Sequence, residues 1–281
     1  MHFGKQLALT AYYWLSQPQR WWYCRQAIQG GQLPISILFY HRVADEKPNS
    51  WTISTGKFRK QIDFLRESFE IISLQEAQRR LETGQNRKPA VVITFDDGYA
   101  DNCQFALPYL IEHQIPCTYF VSNYYLLSQE PFPHDRENGC YLKPNTKEEI
   151  QGLSKDGVDI GAHTFSHADL GKIHERNELW KEVIEPAREL SQWIQKPVNY
   201  FAFPFGLPQN LNKLVIEMLQ EEGFLGAVSA YGGYNFPSEK SYHLKRIHAD
   251  PEMIRFKNWL SYDLRKLAAD VEKFEEKKVS F

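Results

Sequence analysis

Long apolar runs are missing from this 281-residue chain: no stretch approaches the ~18 residues that a membrane-spanning helix needs. Cysteine is scarce as well. Cys24, Cys103, Cys117 and Cys140 share no short spacing, which argues against a zinc knot, a redox pair or a disulfide framework. Net charge is only −2, so no basic field invites nucleic acid. The opening residues lack a secretory signal. Leu7 to Leu15 is too short and too aromatic, and no small-residue cleavage site follows. A cytoplasmic location is the expectation, with peripheral membrane association as an addition argued below.

What is present suits a single globular enzyme. At 42% hydrophobic the chain can bury a full core. Residues 2–28 combine Tyr12, Tyr13, Trp14, Trp21, Trp22 and Tyr23 with Lys5, Arg20 and Arg25. Such an aromatic and basic helix can pack over the domain, the preferred reading, or lie in a membrane interface. Pro18 is expected to kink or split it.

The chemistry sits in two short stretches. Val91-Val92-Ile93 leads into Thr94-Phe95-Asp96-Asp97-Gly98, and His163-Thr164-Phe165-Ser166-His167 follows about seventy residues later. Either alone is unremarkable, one as a strand-ending turn and the other as a solvated pair. Together, each after its own apolar run, they supply two carboxylates and two imidazoles to one domain. Neighbours on a regular strand point to opposite faces, so Asp96 and Asp97 need a turn, expected at Gly98, to reach one site. One carboxylate can then hold a metal while the other stays free as a base. The four-residue spacing of His163 and His167 lets both rings converge, on a helical turn or a tight loop. Two His and one carboxylate leave open positions on a metal, as hydrolytic sites require.

These residues resemble the polysaccharide deacetylases of the NodB-homology type, carbohydrate esterase family 4. Residues 94–98 match the first motif, Thr-Phe-Asp-Asp-Gly, at every position, and residues 163–167 match the second, His-Ser/Thr-x-x-His. A third motif, Arg-x-Pro-Tyr, is degraded here to Ala202-Phe203-Pro204-Phe205. The likeness spans roughly residues 35 to 250. It implies an irregular (β/α)7 barrel, an α/β fold. It also implies Asp96 as general base, and Asp97, His163 and His167 as ligands of one divalent metal. Zinc is the expected ion, though cobalt, nickel or manganese would also suit this donor set. The oxyanion would be met by the metal and by the main-chain N–H of Phe205, beside Pro204.

Two departures follow. Ala202 stands where the family has the arginine that orients the catalytic aspartate. Arg246, in Leu244-Lys245-Arg246-Ile247-His248, is the candidate to supply that charge from a later strand. The family's usual C-terminal general acid also has no clean copy. His41 ends the apolar stretch Ile37-Leu38-Phe39-Tyr40 and resembles the Tyr-His segment of the poly-N-acetylglucosamine deacetylase branch. It is taken as the acid that protonates the leaving amine, with His248 as the alternative.

Elsewhere strands and helices alternate, which argues for a parallel barrel with its site at strand ends. Thr55 can cap a helix bearing Phe58, Ile62 and Leu65, and Ser73 with Glu76 has the form of a capping box. Residues 122–145 read as a long loop bordering the substrate cleft, with His134 solvated. Tyr231 to Asn235 reads as an aromatic turn near the site. The expected organisation is a helical extension over 1–34, the barrel over 35–262 and a charged tail over 263–281. The expected function is metal-dependent removal of N-acetyl groups from a glycan containing N-acetylglucosamine. An O-acetyl esterase, another carbon–nitrogen hydrolase, or a silent glycan-binding protein stand as alternatives.

Overall fold

The computed structural model describes residues 3–237 and 241–267. Eleven short strands appear among them: β1 (Ile35–Tyr40), β2 (Arg42–Val43), β3 (Thr52–Ile53), β4 (Glu70–Ile71), β5 (Ala90–Phe95), β6 (Cys117–Val121), β7 (Asp159–Ala162), β8 (Tyr200–Ala202), β9 (Gly226–Val228), β10 (His243–Leu244) and β11 (Arg246–His248). The main sheet runs β10-β9-β8-β7-β6-β5-β1-β11, with every pairing parallel. β10 and β11 are two halves of one stretch, divided only by Lys245. The first half pairs with β9 and the second with β1, so the row of strands returns on itself. Counted that way, seven strands make the wall, and the fold is the NodB-type (β/α)7 barrel. All six residues of β1 and all six of β5 are buried, as two-sided burial in a parallel sheet demands.

The seam is held by a residue the sequence did not advertise. Where the strand changes partner, the peptide groups of Lys245 would be left without ladder bonds. Asn235 supplies both: its side-chain oxygen accepts from Lys245 N–H and its amide donates to Lys245 C=O, each at 2.8 Å. Its own backbone exchanges bonds with Ile35, the first residue of β1. Tyr231 to Asn235 therefore ends at the strand-start end of the barrel, and the expectation of a loop at the site is corrected on this point.

Helices cover the outside: α1 (Phe3–Gly30), α2 (Thr55–Ser68), α3 (Leu74–Glu82), α4 (Ala106–Glu112), α5 (Asn123–Ser128), α6 (Pro133–Glu137), α7 (Lys147–Lys155), α8 (Arg176–Ile194), α9 (Lys213–Glu221), α10 (Met253–Leu260) and α11 (Leu264–Leu267). Phe58, Ile62 and Leu65 form the buried stripe of α2, but its cap is Ser54, one residue before the expected Thr55. The hydroxyl of Ser73 caps α3 at Glu76 N–H, while the Glu76 carboxylate turns to Arg79 and Arg80 and leaves the capping box half made.

Two further expectations are corrected. Residues 122–145 contain α5 and α6 and are not a plain loop, because Tyr99, Tyr125, Phe132 and Leu142 bury one another beneath them. Helix α1 continues unbroken through Pro18, which lies on its exposed side. The inner face of α1 docks on α10 and the residues after it. Arg20 is buried there and donates to the carbonyl and side-chain oxygens of Asn258 at 2.8 and 2.7 Å. Tyr12 donates to Asp263, the first residue assigned to the tail, at 2.9 Å. Asp263 is buried, so the packed body includes it; residues 268–281 of the tail lie outside the described residues.

Candidate active site

Strand β5 stops at Phe95, and the next two residues carry the acids. Asp97 adopts φ 75°, a left-handed backbone that side chains other than glycine's seldom accept, followed by Gly98 at φ 95°. The turn thus begins one residue before the expected Gly98, and that is how consecutive aspartates escape the alternation of a strand. Thr164 (φ 62°), His167 (φ 61°) and Phe205 (φ 60°) share this conformation. Left-handed non-glycine residues cost of order 1–3 kcal/mol each and persist where surrounding structure forces them. Three of the four carry a predicted site side chain or N–H. His163 and His167 converge from a loop rather than a helix.

Asp97, His163 and His167 meet. One ligand atom from each lies within 4.8 Å of the others, a grouping able to hold a metal ion. His163 Nε2 is 3.5 Å and His167 Nε2 3.3 Å from Asp97 Oδ1. The chemistry of this cluster favours a cation. His163 Nδ1 lies 2.8 Å from the Ala202 carbonyl, which can only accept, so Nδ1 carries the hydrogen. In the neutral ring, Nε2 then presents a lone pair toward the carboxylate. Two acceptors facing each other require a positive charge between them. Asp97 Oδ1 is buried and has no hydrogen-bond partner. Burial pushes the Asp97 carboxyl up, and it falls well below the usual carboxylate range only when positive charge faces it from the His163 and His167 side. A carboxylate that stays charged is ready to bind a metal without losing a proton. The residues present fit a divalent ion.

Asp96 takes a different environment. Arg246 Nη1 and Nη2 donate to its two oxygens at 2.6 and 2.9 Å, a two-pronged grip with both side chains buried. Arg246 also donates to Thr94 Oγ1 at 3.1 Å and to the Ser229 carbonyl at 2.9 Å. Its guanidinium lies between the rings of Phe39 and Phe120, 5.0 and 5.4 Å away. A Cβ on Gly161 would stand 2.3 Å from the Phe120 ring, so that glycine makes room for this aromatic support. The arginine sits at the start of β11, on the barrel seam, and reaches inward to the acid at the end of β5.

His41 follows β1 directly and places Nε2 4.0 Å from Asp97 Oδ2. Burial pulls its imidazole below the ordinary value, against the opposing pull of Asp97 and Asp96. Its Nδ1 is buried without a partner, and its ring packs on Trp51 at 4.6 Å. His248 lies behind, against Phe39 and the edge of Trp51. Phe205 is exposed, and its ring meets that of His167 edge-on at 5.0 Å. Among the described residues no acceptor meets the Phe205 N–H, while its neighbour Gly206 bonds back to Pro204. His134 does not join the cluster. Its side chain is 37% exposed, and the ring also pairs with the Tyr99 hydroxyl at 3.0 Å, beside buried Asp135. Sequence reading also missed Trp51, which carries no motif and gains its place through the short β2–β3 pairing.

A parallel barrel whose strand ends gather two acids and three imidazoles defines the class: a NodB-type barrel with a hydrolase-like site. The sequence profile described as polysaccharide deacetylase matches residues 83–226, half of the chain, and the chain belongs to that family. It is 23% identical over 223 residues to YxkH of Bacillus subtilis (strain 168), itself only provisionally termed a polysaccharide deacetylase. That match covers 78% of this chain and 72% of YxkH. It is 22% identical to the poly-beta-1,6-N-acetyl-D-glucosamine N-deacetylase of Staphylococcus aureus (strain MRSA252), covering 76% of this chain and 73% of that protein. Among solved structures, IcaB from Ammonifex degensii superposes with a TM-score of 0.67 at 22% identity, covering 81% of this chain and 97% of that one. The Streptococcus pyogenes deacetylase PplD, solved with acetate, gives 0.68 at 19% identity, covering 80% and 97%. The structural likenesses speak for the fold.

Proposed function

We propose that this protein is a metal-dependent deacetylase that removes N-acetyl groups from glycans containing N-acetylglucosamine. One observation carries the reading. A buried Asp97 oxygen faces two imidazole nitrogens with no partner, directly beside an acid, Asp96, that is held apart by its own arginine. A purely binding site has no use for a second, separately braced carboxylate. The choice of glycan rests on the poly-N-acetylglucosamine deacetylase among the relatives.

Asp97, His163 and His167 would hold the ion, zinc before cobalt, nickel or manganese. When bound, the ion supplies Lewis acidity to water and to the acyl carbonyl. Asp96 takes the proton from the attacking water, its carboxylate kept in one orientation by Arg246. The Phe205 N–H, which meets no acceptor among the described residues, donates to the carbonyl oxygen as charge builds on it, with Pro204 and the left-handed backbone fixing its direction. His41 delivers a proton to the nitrogen as the C–N bond breaks, so acetate and a free amine leave. Burial disfavours its charged form, while Asp97 and Asp96 nearby favour it.

The test is acetate release from soluble poly-β-1,6-N-acetylglucosamine oligomers by zinc-loaded protein, with Asp96→Asn alongside. Turnover that falls by about 10²–10⁴ in the variant, with metal content unchanged, supports the reading. Normal turnover by Asp96→Asn would remove the base. Release only from O-acetylated sugars would pass the site to an esterase.

A further inference from the structure

The outer face of α1 carries a row of large apolar side chains among its polar ones, which an ordinary surface helix does not. Leu7, Trp14, Trp21 and Ile28 recur every seven residues along it, flanked by Leu15 and Trp22. Trp14 is 68%, Leu15 83% and Trp21 61% exposed. On the inner side, Arg20 and Tyr12 bond to Asn258 and Asp263, and Tyr23 stacks on Tyr262. The helix could have hidden its tryptophans against the barrel, and it presents them to solvent. A patch of this kind marks a surface that meets an apolar partner.

Charge says which partner. Residues 1–44 contain no aspartate or glutamate, although the chain has 35 acids in all. Lys5 and Arg25 are exposed on the helix, Arg25 standing over the Trp21 ring at 5.2 Å. Two copies meeting on this face would bring cation to cation with no acid to answer. Headgroups of an anionic lipid answer both features. Trp rings suit the boundary between headgroup and acyl chain, and the basic side chains reach outward to phosphates. No described helix is long and apolar enough to cross a membrane, which leaves α1 lying along the surface.

We propose that α1 is a lipid-surface anchor that seats Leu7, Trp14, Leu15, Trp21, Trp22 and Ile28 in the interface of an anionic bilayer. Its C-terminal end leads into the start of β1, at the opposite end of that strand from His41. The docked barrel therefore keeps its strand-end site away from the anchor's attachment point.

The experiment uses the full chain and two vesicle preparations, phosphatidylcholine alone and phosphatidylcholine with phosphatidylglycerol. Co-sedimentation with the mixed vesicles, a blue shift of tryptophan emission, and monomers by light scattering are expected. Trp14→Ser/Trp21→Ser should weaken binding on the order of tenfold or more. Arg25→Glu should weaken it about fivefold, and added salt should do the same. Both variants lie on an exposed face, and an unchanged thermal melt shows that they fold. Failure of the wild type to sediment with either preparation overturns the proposal, as does equal binding by the folded tryptophan variant. A dimer that this variant dissociates would assign the face to a second copy instead. None of these readings depends on deacetylase activity.

Discussion

Replacing Arg246 by Met tests the arrangement at its most heavily constrained point. Wild-type Arg246 is fully buried and satisfies Asp96 through two short bonds, with Thr94 and the Ser229 carbonyl completing its partners. Removing it leaves a buried carboxylate stripped of its counter-charge. Breaking one side of such a pair costs about 3–5 kcal/mol. Met fills much of the same volume between Phe39 and Phe120, so a packing void contributes little. The double variant Arg246→Met/Asp96→Asn removes the stranded charge, and it should recover a substantial part of the loss. A coupling of about 2 kcal/mol or more is expected from urea melts of the four proteins in the cycle. Arg246→Lys should fall between, since an ammonium cannot grip both oxygens in the plane of the carboxylate. Metal content is the control, because no metal-ligand residue is altered. Additive losses in the double variant, or an Arg246→Met protein as stable and as active as wild type, would refute the argument that the pair is one unit.

Three other outcomes are expected. Asn235→Ala strips the Lys245 peptide of both its partners at the barrel seam, and two buried orphaned groups at about 1–3 kcal/mol each should appear as a lowered melting temperature. His163→Ala/His167→Ala should abolish zinc retention after dialysis, whereas wild type should keep about one ion per chain by elemental analysis; an unchanged ion count would place the metal elsewhere. Burial lowers His248 from 6.5 to about 4, so it stays neutral in the folded protein while the unfolded chain takes up a proton. Stability from this residue is present above pH 6.5 and is lost as pH falls toward 4, by at most roughly 3 kcal/mol. His248→Phe should flatten that limb of a pH–stability curve, and an unchanged limb would locate acid sensitivity in other groups.

The barrel and its site were unequally legible in the sequence. Apolar runs such as Val91 to Ile93 state their burial directly, and Asp96-Asp97 and His163/His167 lie at the ends of such runs, so local pattern leads to them. Arg246 could be singled out only because a familiar arginine was missing at Ala202. Its partner was fixed by the sheet closing, a contact 150 residues apart in the chain. Trp51 and Asn235 had no local signature at all. One depends on a two-residue strand pairing, the other on a strand that changes neighbours, and neither periodicity nor motif spacing encodes such events. Pro18 misled for the opposite reason. A local rule predicts a break, while the helix stays continuous with Arg20, Tyr12 and Tyr23 docked on one side.

The seam also sets an order in time. Asp96, Asp97, His163 and His167 all come before residue 170, yet the segment that closes the wall and brings in Arg246 comes well after them in the chain. A chain interrupted before that point carries all three proposed metal-ligand residues and an acid with no brace. On the proposed mechanism, an emerging chain that stops short of β11 holds its base without orientation, and the arrival of that strand completes the site.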